Sequence, residues 1–251
     1  MTNFEAWQWA LAALGALAIG LAKTGINGLG MLAVVIFAYL FPARQASGVV
    51  LPMLVLADIV AVTSYRQHAQ WRHLWRLFPW TAAGIIVGYF ALGHIDDRQA
   101  KMLIGIIILA MLAMHLWRRR RPSVAEEVHP IWFAPLIGVL AGFTTLVANA
   151  AGPLMAIYLL AMRLPKMEYM GTGAVFFLLM NLFKVPFMAN LGLVNGPSLT
   201  INLWLAPAVL AGALLGKRML PHINQRLFEN LVLGLSALAA LDLIFHFTHG
   251  R

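Results

Sequence analysis

Ten apolar stretches follow one another along this chain, and only one hydrophilic linker of any length interrupts them, "RRRRPSVAEEVHP" from Arg118 to Pro130. The stretches run roughly Trp7–Ala22, Gly28–Phe41, Ala46–Tyr65, Leu74–Leu92, Lys101–Trp117, Ile131–Ala148, Gly152–Met162, Tyr169–Asn190, Leu199–Gly216 and Leu227–His246. A soluble fold would have to hide all of them from water. With 61% hydrophobic and 11% charged residues the chain lacks the polar surface to do so, since charged residues make up about a quarter of an ordinary globular chain. In hydrocarbon every backbone N–H and C=O must find a partner within the protein, which a helix supplies internally. The sequence therefore predicts an all-α polytopic membrane protein.

Charge and composition narrow the function. The formal net charge of +9 lies mostly in short loops, as expected where lysine and arginine anchor loops on the cytoplasmic side. A positive surplus also favours anionic over cationic substrates, and it gives no reason to expect nucleic acid as a partner. The absence of cysteine excludes disulfides, thiolate metal sites and cysteine nucleophiles. The eight histidines form no metal-ligand pattern, and no H-E-x-x-H, G-x-S-x-G or P-loop motif occurs. Neither cofactor nor metal is expected. The segment before Leu11 holds Glu5, Trp7 and Trp9 but no lysine or arginine, so it reads as an interfacial anchor without the basic start of a cleavable signal.

The two groups of five segments look like copies. An offset of 122 pairs Gly20 with Gly142, Asn27 with Asn149, Gly30 with Gly152 and Leu32 with Leu154. An offset of 123 pairs Pro42 with Pro165, Gly48 with Gly171 and Asp58 with Asn181. An offset of 128 pairs Pro79, Gly84, Gly88 and "HIDDR" from His94 with Pro207, Gly212, Gly216 and "HINQR" from His222. The basic loop changes place between the copies. Arg66, Arg72 and Arg76 follow the third segment of the first copy, whereas Lys217, Arg218 and Arg226 follow the fourth of the second. That swap is expected if the second copy lies upside down. The expected architecture is two inverted repeats of about five helical segments, residues 1–121 and 131–251, joined by a hydrophilic linker at 122–130.

In each copy the first two segments form a hairpin with a short second arm. Gly28–Phe41 and Gly152–Met162 would reach about 20 Å or less, against roughly 30 Å of hydrocarbon. The breaks, "KTGING" and "LVANAAGP", enter from opposite faces in an inverted pair and meet near mid-bilayer. Helix starts there expose unpaired N–H groups at the positive end of the helix dipole, an arrangement suited to an anion. Lys23, Thr24, Asn27, Gly28 and Gly30 in one copy, and Asn149 and Gly152 in the other, are therefore candidate substrate contacts, with Asn181 and Lys184 on the eighth segment. The asparagines suit left-handed backbone or donate side-chain amides, and Pro153 suits a first helical residue, since it needs no N–H partner. Lys23 reads either as a fixed charge for the anion or as a helix-end lysine snorkelling to water. Asp58 reads as a proton carrier or as an uncharged acid bonded to a neighbouring helix. Lys184 neutralises an anion, pairs with Asp58, or snorkels past Asn190. Gly84, Gly88, Gly212 and Gly216 read as helix-packing glycines.

The same residues carry a family resemblance. The hairpin turns "GINGLGML" and "NAAGPLMAIYL", the elements "FPARQASGVV" and "LPKMEYMGTGAV", and the later "NLFKVPFMANLGLVN" and "LAPAVLAGALLGKRMLPHINQRLFENLV" resemble the TauE/SafE-type sulfite exporter family. The resemblance implies a secondary transporter of small anions, sulfite and organosulfonates above all, in the cytoplasmic membrane. It also implies coupling to protons and no ATPase domain. A small carboxylate is the alternative cargo; an intramembrane enzyme or a membrane scaffold is a further alternative from a different class.

Overall fold

The computed structural model describes residues 4–25, 29–91 and 131–248, with isolated helical positions at 106, 109, 110 and 113. Asn27 and Gly28, the linker, and most of the segment Lys101–Trp117 lie outside the described residues. Among the described residues every regular element is helical: α1 (Ala6–Thr24), α2 (Gly30–Leu40), α3 (Ala43–Tyr65), α4 (Trp71–Ala91), α5 (Phe133–Ala148), α6 (Ala151–Ala161), α7 (Lys166–Asn190), α8 (Gly196–Met219) and α9 (Gln225–Thr248).

Local chemistry explains the helix ends. Pro42 and Pro165 stand just before α3 and α7, where a missing N–H costs nothing. The residue before proline avoids helical geometry, and Phe41 ends α2 in an extended conformation. Asn195 caps α8 by accepting from the Ser198 N–H at 2.9 Å, with Pro197 in the first turn. α5 ends at Asn149, whose φ of 53° and ψ of 28° are left-handed.

Among the described residues, four helices are long and apolar enough to cross a bilayer, within Ala6–Thr24, Gln45–His68, Lys166–Asn190 and Gly196–His222. Large apolar side chains such as Trp75, Leu203 and Trp204 point outward, as a lipid-facing surface requires. By contrast α2 and α6 have 11 residues each, so each reaches only about 16 Å.

Two crossings organise the packing: α1 lies against α8, and α4 against α5. Both rest on glycine. A Cβ at Gly20 would stand 2.0 Å from the Val209 carbonyl oxygen, and one at Gly212 would stand 2.0 Å from that of Leu17. At the other crossing, Cβ atoms at Gly142 and Gly84 would stand 2.1 and 2.2 Å from the carbonyl oxygens of Thr81 and Val139. No side chain fits at such distances, so backbones meet directly. Two apolar cores result. One joins α1, α2 and α3 with α8 around Ala16, Phe37, Met53 and Val209; the other joins α5, α6, α7 and α9 with α4 around Leu77, Ile137, Tyr158 and Phe228.

Candidate functional site

Between these two cores lies a cavity of about 60 Å³ lined by Lys23, Gly30, Asn149, Gly152, Phe177 and Asn181, with Thr145 beside them. A water needs some 10–15 Å³ on this measure, so the space suits roughly four to six atoms the size of a water oxygen. Seven of the described helices line it, α3 and α9 with apolar side chains only. α1 contributes Lys23 from its last turn and α2 contributes Gly30 at its start. α5 ends at Asn149, α6 begins at Ala151, and α7 carries Phe177 and Asn181, followed by Lys184, which does not itself line the cavity. The i, i+4, i+7 spacing of those three puts them on one helix face.

Lys23 turns inward. Its Nζ lies 2.8 Å from Asp58 Oδ1 and 3.9 Å from the centroid of the Phe177 ring. Snorkelling to water is thus excluded for Lys23, and it is Lys23, not Lys184, that pairs with Asp58. Asp58, on α3, is fully buried, and its second oxygen accepts from Asn181 Nδ2 at 2.6 Å. The Oδ1 atom of Asn181 is buried and has no hydrogen-bond partner among the described residues, although Asn181 lines the cavity. A buried acceptor left open is costly unless a ligand or water completes it.

Lys184 is also fully buried, which rules out the snorkelling reading. Its ammonium donates to the Thr145 carbonyl at 3.2 Å, to Thr145 Oγ1 at 3.3 Å and to Asn149 Oδ1. All three acceptors are neutral, and among the described residues no carboxylate lies within ion-pair distance of it. Asn149 is held in turn, because its Nδ2 donates to the Ser47 carbonyl at 3.3 Å and to Ser47 Oγ at 3.1 Å. The left-handed backbone and the donated amide expected of this residue both occur there.

Near the cavity, among the described residues, lie two lysines, Lys23 and Lys184, and a single carboxylate, Asp58; with both lysines protonated the group carries one positive charge in excess. Buried charge is strongly disfavoured without a counter-charge. The backbone adds to this field. α6 begins beside the cavity with Ala151, Gly152 and Pro153, and first-turn N–H groups have no partner within their own helix. Pro153 is the third helical residue, not the first, but still falls in the turn that needs no intrahelical donor. Apart from its chain neighbours and its own helix backbone, no atom of the described residues lies within 4 Å of where a Gly152 Cβ would stand, and on the same terms Ala22 Cβ alone, at 3.6 Å, approaches that of Gly30.

One candidate goes elsewhere. The Thr24 hydroxyl donates to the Ala213 carbonyl at 2.6 Å and to the Gly20 carbonyl at 3.2 Å, and its own carbonyl accepts from Tyr65 Oη at 2.7 Å. It is engaged in the α1–α8 crossing and is not among the residues that line the cavity. Asn27 and Gly28 lie outside the described residues. Phe177, Thr145 and Ser47 were not singled out as site residues. Phe177 carried a usable signal, standing one helical turn before Asn181 on the same face; Ser47 carried none, since only the fold brings it to Asn149.

A charged cavity enclosed by short and long apolar helices is the architecture of a membrane transporter, a class in which interrupted helices bind solutes within the bilayer. The chain belongs to the sulfite exporter TauE/SafE family, whose profile matches residues 11–243. A similar curated protein is described as the probable inner membrane transporter protein TsaS of Comamonas testosteroni, 26% identical over 203 residues, covering 77% of this chain and 82% of that protein. No solved structure matches. The protein is accordingly a multi-pass membrane transporter and not an enzyme.

Proposed function

We propose that the protein is a secondary transporter of small anions, with sulfite the foremost candidate, acting across the cytoplasmic membrane by alternating access and coupled to protons through Asp58. One observation carries this reading: Lys184 is a fully buried lysine whose amine is bonded, among the described residues, to neutral oxygens alone, beside the cavity that Lys23 lines. An anion entering that cavity supplies the missing counter-charge. Lys23, Asn149, Gly152, Gly30 and Asn181 are its proposed contacts. The cavity volume of about 60 Å³ favours a compact oxyanion over an arylsulfonate in this conformation.

The alternating-access part rests on two inverted repeats, residues 1–121 and 131–251, with 122–130 between them. The packing supports it. The approach of Gly20 to Val209 recurs in that of Gly142 to Thr81, and Gly212 meets Leu17 as Gly84 meets Val139. Each recurrence uses the offsets of 122 and 128 read from the sequence. Asp58 and Asn181, paired by the offset of 123, touch each other. Residues related by a twofold axis can meet only close to that axis, which would run through the cavity.

Flux in proteoliposomes, measured for sulfite, small sulfonates and small carboxylates, tests the proposal. Saturable sulfite flux that Lys184→Met removes is the expected result. Flux confined to carboxylates would replace the cargo, and no anion flux from folded protein would overturn the function.

A further inference from the structure

We infer that Asp58 is a tethered competitor of the substrate: it holds on Lys23 the place that the transported anion takes, so anion binding displaces the Asp58 carboxylate and leaves it protonated. The inference rests on the anion-site reading above and adds the means by which cargo and proton are linked.

The two lysines of the site differ in one respect. Lys184 donates only to neutral oxygens, whereas Lys23 is already engaged by a carboxylate at 2.8 Å. Lys23 lines the cavity and Asp58 does not, so the ammonium sits between its internal counter-ion and the space an anion would enter. An oxyanion that reaches Lys23 brings negative charge up to the Asp58 carboxylate. Like charges that share a site cannot both stay ionised at little cost, and one of them takes a proton. Asp58 is placed to be that one. It is fully buried, and its remaining polar contact, the Asn181 amide, is neutral.

Charge accounting agrees. With both lysines protonated, the site carries one excess positive charge while Asp58 is ionised and two once Asp58 is protonated. A doubly charged oxyanion is then balanced only when a proton accompanies it. The proton adds to the carboxylate as the Lys23–Asp58 ion pair separates, and no covalent bond of the substrate changes.

The surroundings of Asp58 leave few other groups to absorb that proton. Of the elements packed on α3, α1 contributes Lys23, and α7 contributes Lys184 together with Lys166 and Glu168 in its first turn. α5 has no titratable side chain. α2 has the exposed Tyr39, and α8 has Lys217 and Arg218 in its last turn. Arg66 and His68 follow the C-terminus of α3, and Tyr65 on α3 itself is bonded to the Thr24 carbonyl.

Infrared difference spectroscopy on the full-length protein in lipid, with sulfite washed in and out, reads this directly. Sulfite should raise the C=O stretch of a protonated carboxyl and deplete a carboxylate band, and Asp58→Asn should lack both changes. Asp58→Asn should also bind sulfite roughly tenfold more tightly at neutral pH, the worth of one charge-assisted hydrogen bond freed on Lys23. Lys23→Met provides the second arm, and it does not depend on Asp58→Asn folding. Without its partner Asp58 should already be protonated, so the carboxyl band should stand before sulfite is added and stay unchanged after. Sulfite binding with no carboxyl band in the wild type, or with the band retained in Asp58→Asn, overturns the inference while leaving the anion site intact. Failure of folded wild-type protein to bind sulfite overturns both.

Discussion

Asn181 donates its side-chain amide to Asp58 at 2.6 Å, across 123 residues of sequence. The same offset pairs Pro42 with Pro165 and Gly48 with Gly171. Two positions paired by that offset thus form a buried hydrogen bond, and each carries a different chemistry. Asp58 is an acid that answers Lys23, and Asn181 is an amide whose remaining oxygen has no partner. In the first half the cation stands on α1, while in the second it stands on α7, one turn beyond Asn181, with Thr145 at the position matching Lys23.

Lys184→Met should weaken anion binding by on the order of tenfold or more, because it removes a charge-assisted donor. Stability should change little, since a methionine of similar volume spares the cost of a buried unpaired charge. Binding by calorimetry and a melting curve on the same sample separate the two effects. Unaltered affinity would remove Lys184 from the site.

Two glycine substitutions should fail for different reasons. Gly152→Leu enters open space, so the protein should fold and lose anion binding. Gly142→Ala places a methyl 2.1 Å from the Thr81 carbonyl oxygen and must push α4 and α5 apart. The expected cost is about 1–3 kcal/mol. Size-exclusion profiles and thermal unfolding in detergent distinguish a folded, binding-deficient protein from an unstable one.

At Asn149 the backbone and the side chain can be tested apart. Asn149→Gly keeps left-handed geometry but removes both the Ser47 bonds and the acceptor for Lys184. Asn149→Ala removes the same bonds and adds backbone strain of about 1–2 kcal/mol. Both should lose anion affinity, and only the alanine variant should lose the additional stability. Equal melting temperatures would show that the turn is not held by its backbone conformation.

The two basic loops should be reached from one side of the membrane. The Gln70 N–H donates to Thr172 Oγ1 at 2.9 Å and the Lys166 N–H donates to Gln225 Oε1 at 2.8 Å, which ties the loop after α3 to the start of α9 through one end of α7. Cysteines at the exposed positions Gln67 and Arg226 should therefore react together with an impermeant thiol reagent in oriented vesicles. Reaction from opposite faces would rule out the inverted arrangement.

Helical character, the rough boundaries of nine of the ten segments and the two short arms were legible in the linear pattern, because each follows from local chemistry. Apolar runs demand helices in lipid, prolines set the starts of α3 and α7, the arm 28–41 shortens to an 11-residue helix that ends at Phe41, and the arm 152–162 becomes 151–161 after Asn149 ends α5. The residues around the breaks were legible too, since polar groups amid apolar segments stand out. Their partners were not. Nothing in the sequence says that Lys23 answers Asp58, that Thr24 is drawn to the Ala213 carbonyl, or that Ser47 holds Asn149. Those choices depend on how α1 crosses α8 and how α3 meets α5 and α7. The crossings are decided by backbone contact at glycines far apart in sequence, and a hydrogen bond of under 3.5 Å depends on distances that only the packed helices define.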